Sequence, residues 1–144
     1  MARIRELLNN REMYFVQSDF TAQAAAHYMQ EKNVGAVPVV RGSELVGVLS
    51  ERDLVRRILL KGRDFSTTMV DDVMTPDPLT VKSADDVQEC MVLMKHHGFR
   101  HLPVCDDGTL VGFLSMRDLL LHDLDEKDIE VRMMRAYMAS GTEG

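Results

Sequence analysis

Ser50, Arg52 and Asp53 recur as Ser115, Arg117 and Asp118, and each set begins three residues after a glycine, Gly47 or Gly112. Where a strand turns into a helix, unpaired backbone N–H groups and the positive end of the helix attract a phosphate. An arginine beside them adds a planar fork of donors, and an aspartate can accept both hydroxyls of a ribose diol. A glycine in the preceding strand leaves room for something to come close to the backbone. Together these groups match every part of a nucleoside phosphate. The same Ser-x-x-Asp spacing also has a purely local use as a helix capping box. Ser83-Ala84-Asp85-Asp86 carries that spacing with no glycine-bearing strand before it, so capping alone is expected there.

The two sets belong to a longer repeat. Leu45-Val46-Gly47-Val48-Leu49-Ser50-Glu51-Arg52-Asp53-Leu54 returns 65 residues later as Leu110-Val111-Gly112-Phe113-Leu114-Ser115-Met116-Arg117-Asp118-Leu119. The register runs unbroken back to Gln23 and Gln88, and 12 of the 34 pairs from Thr21/Asp86 to Leu54/Leu119 are identical, which marks an internal duplication. Units of this kind bury their apolar faces against each other, so a pseudo-twofold pair is expected.

Each unit reads as helix, strand, strand, helix. Ala22, Ala25, Ala26 and Met29, and likewise Val87, Cys90, Met91 and Met94, fall at helical spacing. Asn33 and Gly98 suit left-handed helix ends. Residues 36–40 and 45–49, and 101–105 and 110–114, form two β-hairpins around polar turns. A final helix starts at Ser50 or Ser115, with Leu54, Val55, Ile58 and Leu59 as its inner face in the first copy. Residues 14–16 and 79–81 supply a third strand. The expected division is repeat one over residues 1–62, a connector over 63–72, repeat two over 73–122, and a C-terminal helix and tail over 123–144. Ile129, Met133, Ala136 and Tyr137 form a stripe in that last helix, suited either to the domain's own core or to a dimer contact, before a frayed end at residues 140–144.

Composition narrows the classes. A formal charge of −6 argues against a nucleic-acid partner. No apolar run is long enough to span a membrane and no signal peptide opens the chain, so a cytoplasmic protein is expected. Cys90 and Cys105 lack metal or disulfide spacing and read as buried thiols. His96, His97, His101 and His122 show no regular ligand spacing, and the 11 methionines read mainly as core filling. No P-loop, Gly-x-Ser-x-Gly, HExxH or Cys-His signature is present, so no enzymatic activity is expected.

Two copies of about 60 residues, each with an apolar-Pro-Val strand, a turn and then Leu-Val-Gly-x-x-Ser-x-Arg-Asp-Leu, resemble the tandem cystathionine-β-synthase (CBS) domain pair, or Bateman module. Asp72-Val73-Met74-Thr75-Pro76 matches the motif that commonly precedes such domains. The resemblance implies an α/β (α+β) fold of two β-α-β-β-α repeats packed sheet to sheet. It also implies two clefts for an adenosine-containing ligand: AMP, ADP, ATP, S-adenosylmethionine or NAD. The module would be a homodimer, would act on a regulated protein partner in trans and would take no metal. A structural dimerisation module without ligand is the alternative.

By the same resemblance, Asp53 and Asp118 would hold the ribose, and Ser50 and Ser115 the phosphate or ribose. The Asp53 cleft would receive Arg100, His101 and Arg117 from the other repeat, and the Asp118 cleft Gly35, Ala36 and Arg52. Adenine would lie against Met13, Tyr14 and Phe15 in the first cleft and Pro78, Leu79 and Thr80 in the second. The Asp53 cleft is therefore expected to prefer phosphorylated nucleosides, although Glu51, where the other copy has Met116, opposes a phosphate there.

Overall fold

The computed structural model describes residues 2–141. The duplication reappears as one strand register used twice. Strand β2 (Ala36–Arg41) pairs antiparallel with β3 (Glu44–Ser50), setting Ala36 opposite Ser50 and Val39 opposite Gly47, with a register shift between Val39 and Val40. Strand β5 (His101–Asp106) pairs with β6 (Thr109–Ser115) in the same way, setting His101 opposite Ser115 and Val104 opposite Gly112, with a shift between Val104 and Cys105. Gly42, Asp107 and Gly108 take positive φ in the two turns, which is why these short loops need Gly or Asp. The hairpins meet edge to edge at Glu44 and Thr109, giving the pseudo-twofold arrangement. The third strand of repeat one, β1 (Val16–Gln17), runs parallel to β2, and Val81 bridges to Val104 at the matching place.

Helices α2 (Ala22–Lys32) and α5 (Val87–His97) lie where the apolar stripes predict. Thr21 and Asp86 cap their N-termini, and Asn33 and Gly98 end them in the left-handed conformation. Asp86, not Ser83, is the cap of α5; the Ser83 hydroxyl donates instead to Asp106, 2.5 Å away. The expected box at Ser83 is thus a cap one turn later and a separate hydrogen bond. Cys90 is buried on α5, Cys105 is half-buried, and both are free thiols.

Two hydrophobic cores result, and the chain crosses between them. Helix α1 (Ile4–Leu8) precedes repeat one but closes the core of repeat two. The Ile4 N–H donates to the Asp85 carbonyl at 2.9 Å, the Arg5 N–H to that of Ser83 at 2.8 Å, and Ala2 and Ile4 are buried with Val87, Met94 and Leu119. Helix α4 (Val70–Val73) precedes repeat two but closes the core of repeat one. Its Val70 N–H donates to the Phe20 carbonyl at 2.9 Å, and Val70, Val73 and Met74 are buried with Val37, Leu49 and Ile58. The strand β4 (Thr75–Pro76) then adds to β3. Each repeat is completed by the lead-in segment of the other, an exchange that reading along the chain does not reveal.

The helices after β3 and β6 differ from expectation. Helix α3 (Glu51–Asp53) continues as a π-helical segment, Leu54–Leu59, in which the Leu60 N–H reaches back to the Val55 carbonyl. Ile58 is buried and Leu54 half-buried, but Val55 and Leu59 face solvent. Helix α6 (Met116–Gly141) includes the expected C-terminal helix and runs into it from the repeat without a break. Its stripe of Ile129, Met133, Ala136 and Tyr137 is exposed and does not cover the domain's own core. Residues 142–144 of the expected frayed end lie outside the described residues. No helix among them is long and apolar enough to cross a membrane.

Candidate functional site

Both Ser-x-x-Asp units are complete capping boxes. Ser50 Oγ accepts from the Asp53 N–H at 3.2 Å while Asp53 Oδ2 accepts from the Ser50 N–H at 2.9 Å. Ser115 Oγ accepts from the Asp118 N–H at 3.1 Å while Asp118 Oδ2 accepts from the Ser115 N–H at 2.8 Å. The boxes stop each strand and start each helix, and they fix both carboxylates at helix N-termini. The local use and the ligand use of these residues are therefore compatible, provided one carboxylate oxygen remains available.

That proviso separates the two aspartates. Asp53 Oδ1 lies 3.5 Å from the Thr75 hydroxyl and 3.7 Å from Arg57 Nε, and the Asp53 side chain is only 11% exposed. Arg57 also donates to the Val73 and Met74 carbonyls at 3.3 and 2.6 Å, tying the α4–β4 lead-in onto Asp53. Asp118 Oδ1 receives no hydrogen bond among the described residues, and its side chain is 28% exposed. One carboxylate is consumed by the fold; the other keeps an acceptor facing outward.

The glycines make room for the protein itself. A β-carbon at Gly47 would lie 2.5 Å from Met74 Sδ and 2.8 Å from the Thr75 carbonyl oxygen; one at Gly112 would lie 2.5 Å from Leu8 Cδ2. The lead-in segments approach here, Met74–Thr75 on repeat one and Leu8 on repeat two. Since backbone cannot yield as a leucine tip can, Gly47→Ala is expected to destabilise the fold by about 1–3 kcal/mol and Gly112→Ala by less. Urea unfolding of the two variants checks the order.

Around Asp118 the structure forms a cleft of about 600 Å³. Ser115, Arg117 and Asp118 come from the β6–α6 junction, Arg100 and His101 from the start of β5, Gly35 and Ala36 from the start of β2, and Arg11, Met13 and Tyr14 from the segment after α1. Gly35 and Ala36 line this cleft. Arg100, His101 and Arg117, expected with Asp53, instead gather around Asp118, as does Tyr14. Arg100, His101 and Arg117 belong to the same repeat as Asp118, where His101 pairs with Ser115 and the Met116 N–H donates to the Arg100 carbonyl. Tyr14 arrives by the exchanged lead-in, since α1 is anchored on repeat two and the chain leaving it passes Asp118 before it reaches β1. Arg52 and Thr80 are exposed and do not line this cleft. Asp53 faces the α4–β4 lead-in instead, and Ser50 is held against Asp53 in the capping box. Glu51 is exposed, with its carboxylate against Gly35.

Electrostatics in the cleft favour an anion next to a diol acceptor. Burial pushes the Asp118 carboxyl up, but hydrogen bonds from Ser115 and the charge of Arg11 outweigh it and hold the group below its ordinary value, so it is a carboxylate at neutral pH. His101 stacks on Phe113 with ring centroids 5.3 Å apart, and burial lowers its pKa against the opposing pull of Asp118. At neutral pH His101 is therefore an uncharged hydrogen-bonding group, and the positive charge comes from Arg11, Arg100 and Arg117. Arg11 carries no signal in the local sequence, because only the exchange brings it to the site. Among the described residues no group of histidine, cysteine and carboxylate side chains is placed to hold a metal.

The CBS domain family model matches twice, over residues 4–60 and 70–125. The chain belongs to the CBS domain family. This CBS pair is 34% identical over 129 residues to the mitochondrial CBS domain-containing protein CBSX3 of Arabidopsis thaliana; the match covers 86% of the chain but 63% of that longer relative. Among solved structures it is similar to a putative signal-transduction protein with CBS domains from Burkholderia ambifaria, with 34% identity, a TM-score of 0.76, and 83% and 91% of the two chains covered. It is also similar to Arabidopsis CBSX2 in complex with AMP, with 28% identity, a TM-score of 0.75, and 87% and 98% covered.

Proposed function

We propose that this CBS pair binds an adenine nucleotide in the cleft around Asp118 and passes the binding event to a protein partner through a change in conformation or in association. The observation that carries the reading is the outward acceptor of Asp118 set in a cleft lined by three arginines. Asp118 would take the ribose diol, and the α6 N-terminus with Arg11, Arg100 and Arg117 the phosphate. Met13 and Tyr14 supply apolar surface for the base. The AMP complex of CBSX2 supports AMP as the first ligand to try, with ADP, ATP, S-adenosylmethionine and NAD as the comparison set. The proposed role is binding, with no chemical step.

Association of two copies is supported by an exposed apolar set on the helices that follow the capping boxes. Val55 and Leu59 face solvent on one, and Leu120 and Leu124, their equivalents in the repeat, face solvent on the other. Apolar residues exposed at matching positions suit a two-fold contact, in which one surface meets itself.

The completeness of both capping boxes favours the alternative, a structural module without ligand. Thermal denaturation with AMP separates the two readings. AMP at about 100 times its dissociation constant is expected to add roughly 2.7 kcal/mol of stability, and light scattering on the same samples to give the mass of two chains. A melting temperature unmoved by AMP, ADP, ATP, S-adenosylmethionine and NAD would leave the structural reading standing.

A further inference from the structure

Asp118 has a partner from the far end of the chain. Arg11 Nη2 lies 3.3 Å from Asp118 Oδ2, joining the segment after α1 to the first turn of α6. The guanidinium is placed by the local backbone: Asn10 takes positive φ, and the Arg11 N–H turns back to the Leu8 carbonyl at 3.2 Å. Its side chain is 41% exposed, and a single nitrogen makes the contact. A half-exposed, one-point ion pair of this kind is worth about 0–1 kcal/mol. It is strong enough to bias the site and weak enough to be displaced.

Repeat one has no equivalent. There the lead-in brings Thr75 to Asp53, and the nearby cation is Arg57, from the next turn of the same helix. His122 occupies the position of Arg57 in repeat two. The Arg11 contact is thus a feature of the Asp118 cleft and does not follow from the duplication.

Resting on the nucleotide reading above, we propose that Arg11 is the residue that makes the Asp118 cleft select a phosphorylated nucleoside over the bare nucleoside. A ribose diol that engages both carboxylate oxygens of Asp118 takes Oδ1 freely but must displace the guanidinium from Oδ2. A nucleoside monophosphate offers the displaced arginine a phosphate, where its planar fork makes charge-assisted hydrogen bonds. A nucleoside offers nothing in exchange and bears the cost of breaking the pair. Arg11 therefore acts in both directions, against neutral ligands and for phosphorylated ones, and discrimination arises from that difference. Arg100 and Arg117 supply positive charge to any anion in the cleft, but no salt bridge joins either to Asp118, so they cannot impose the cost on a neutral ligand.

The test is a pair of calorimetric titrations, AMP and adenosine, on the full chain and on Arg11→Ala and Arg11→Gln. In both variants AMP is expected to bind about tenfold more weakly, as the loss of one charge-assisted contact requires. Adenosine is expected to bind about two- to fivefold more tightly, because the competing ion pair is gone. The AMP-to-adenosine preference then collapses by more than about tenfold. A preference unchanged in the variants, or adenosine binding that weakens along with AMP, overturns the role of Arg11 while leaving the nucleotide site in place. Binding of neither compound by the unaltered chain overturns both readings. Arg11→Gln keeps most of the side-chain packing, so a defect in Arg11→Ala alone marks a structural effect and counts against the proposal.

Discussion

Asp118→Ala is expected to weaken AMP binding by about 10- to 100-fold, whereas Asp53→Ala leaves it within about twofold. The size follows from removing hydrogen bonds between a carboxylate and a ribose diol, each worth about 1.5–3 kcal/mol when one partner is charged. The asymmetry follows from the second carboxylate oxygen. In Asp118 it is unclaimed among the described residues and opens onto the arginine-lined cleft; in Asp53 it sits against Thr75 and Arg57 under the α4–β4 lead-in. This order is the reverse of what the family resemblance implies, which sets Arg100 and His101 with Asp53. Calorimetry on the two variants decides it. A larger loss from Asp53→Ala would return the phosphate site to the other cleft, and equal losses would make the two clefts equivalent.

The complementary expectation concerns folding. Asp53→Ala should lower the unfolding free energy by about 2–3 kcal/mol and Asp118→Ala by about 1 kcal/mol, the latter close to the usual worth of a lost N-cap interaction. Both substitutions remove a capping box, but Asp53 is buried and does more. Without it the Ser50 N–H and hydroxyl lose their shared acceptor and the Thr75 hydroxyl loses a neighbour in a half-buried setting, which leaves donors unsatisfied. The Arg57 ion pair adds little, because that side chain is nearly half exposed. Asp53→Asn keeps an acceptor for the box and is expected to recover much of the loss. Urea titrations with unchanged slopes measure the series. An Asp53→Ala variant as stable as Asp118→Ala would show that the two junctions are equivalent and that the contacts to Thr75 and Arg57 contribute nothing. Together the two experiments assign opposite specialisations to copies of one phrase, one structural and one for binding.

Much of the architecture was legible because it is written in short-range patterns. The hairpins follow from alternating apolar runs around Gly and Asp turns, α2 and α5 from four-residue stripes ending in Asn33 and Gly98, and the pairing of repeats from the 65-residue offset. The capping boxes follow from Ser-x-x-Asp. Local patterns mislead where an apolar stripe is read as a buried face: Val55 and Leu59 face solvent, as their equivalents Leu120 and Leu124 do on the regular helix α6, and α6 runs on past the repeat as one helix with its stripe exposed.

The kind of fold, the family and the residue types around the two junctions are written in the chain, since each depends on neighbours a few positions apart or on the duplication. Which aspartate stands beside Arg11 is set by packing across the molecule. The exchange of α1 and α4 between cores brings Arg11 to a residue 107 positions away, and no spacing in the chain encodes that contact. Each lead-in helix buries its apolar residues where a complementary core is open, and that core belongs to the other repeat. The same exchange covers Asp53 and leaves Asp118 open, so two nearly identical phrases acquire different chemistry.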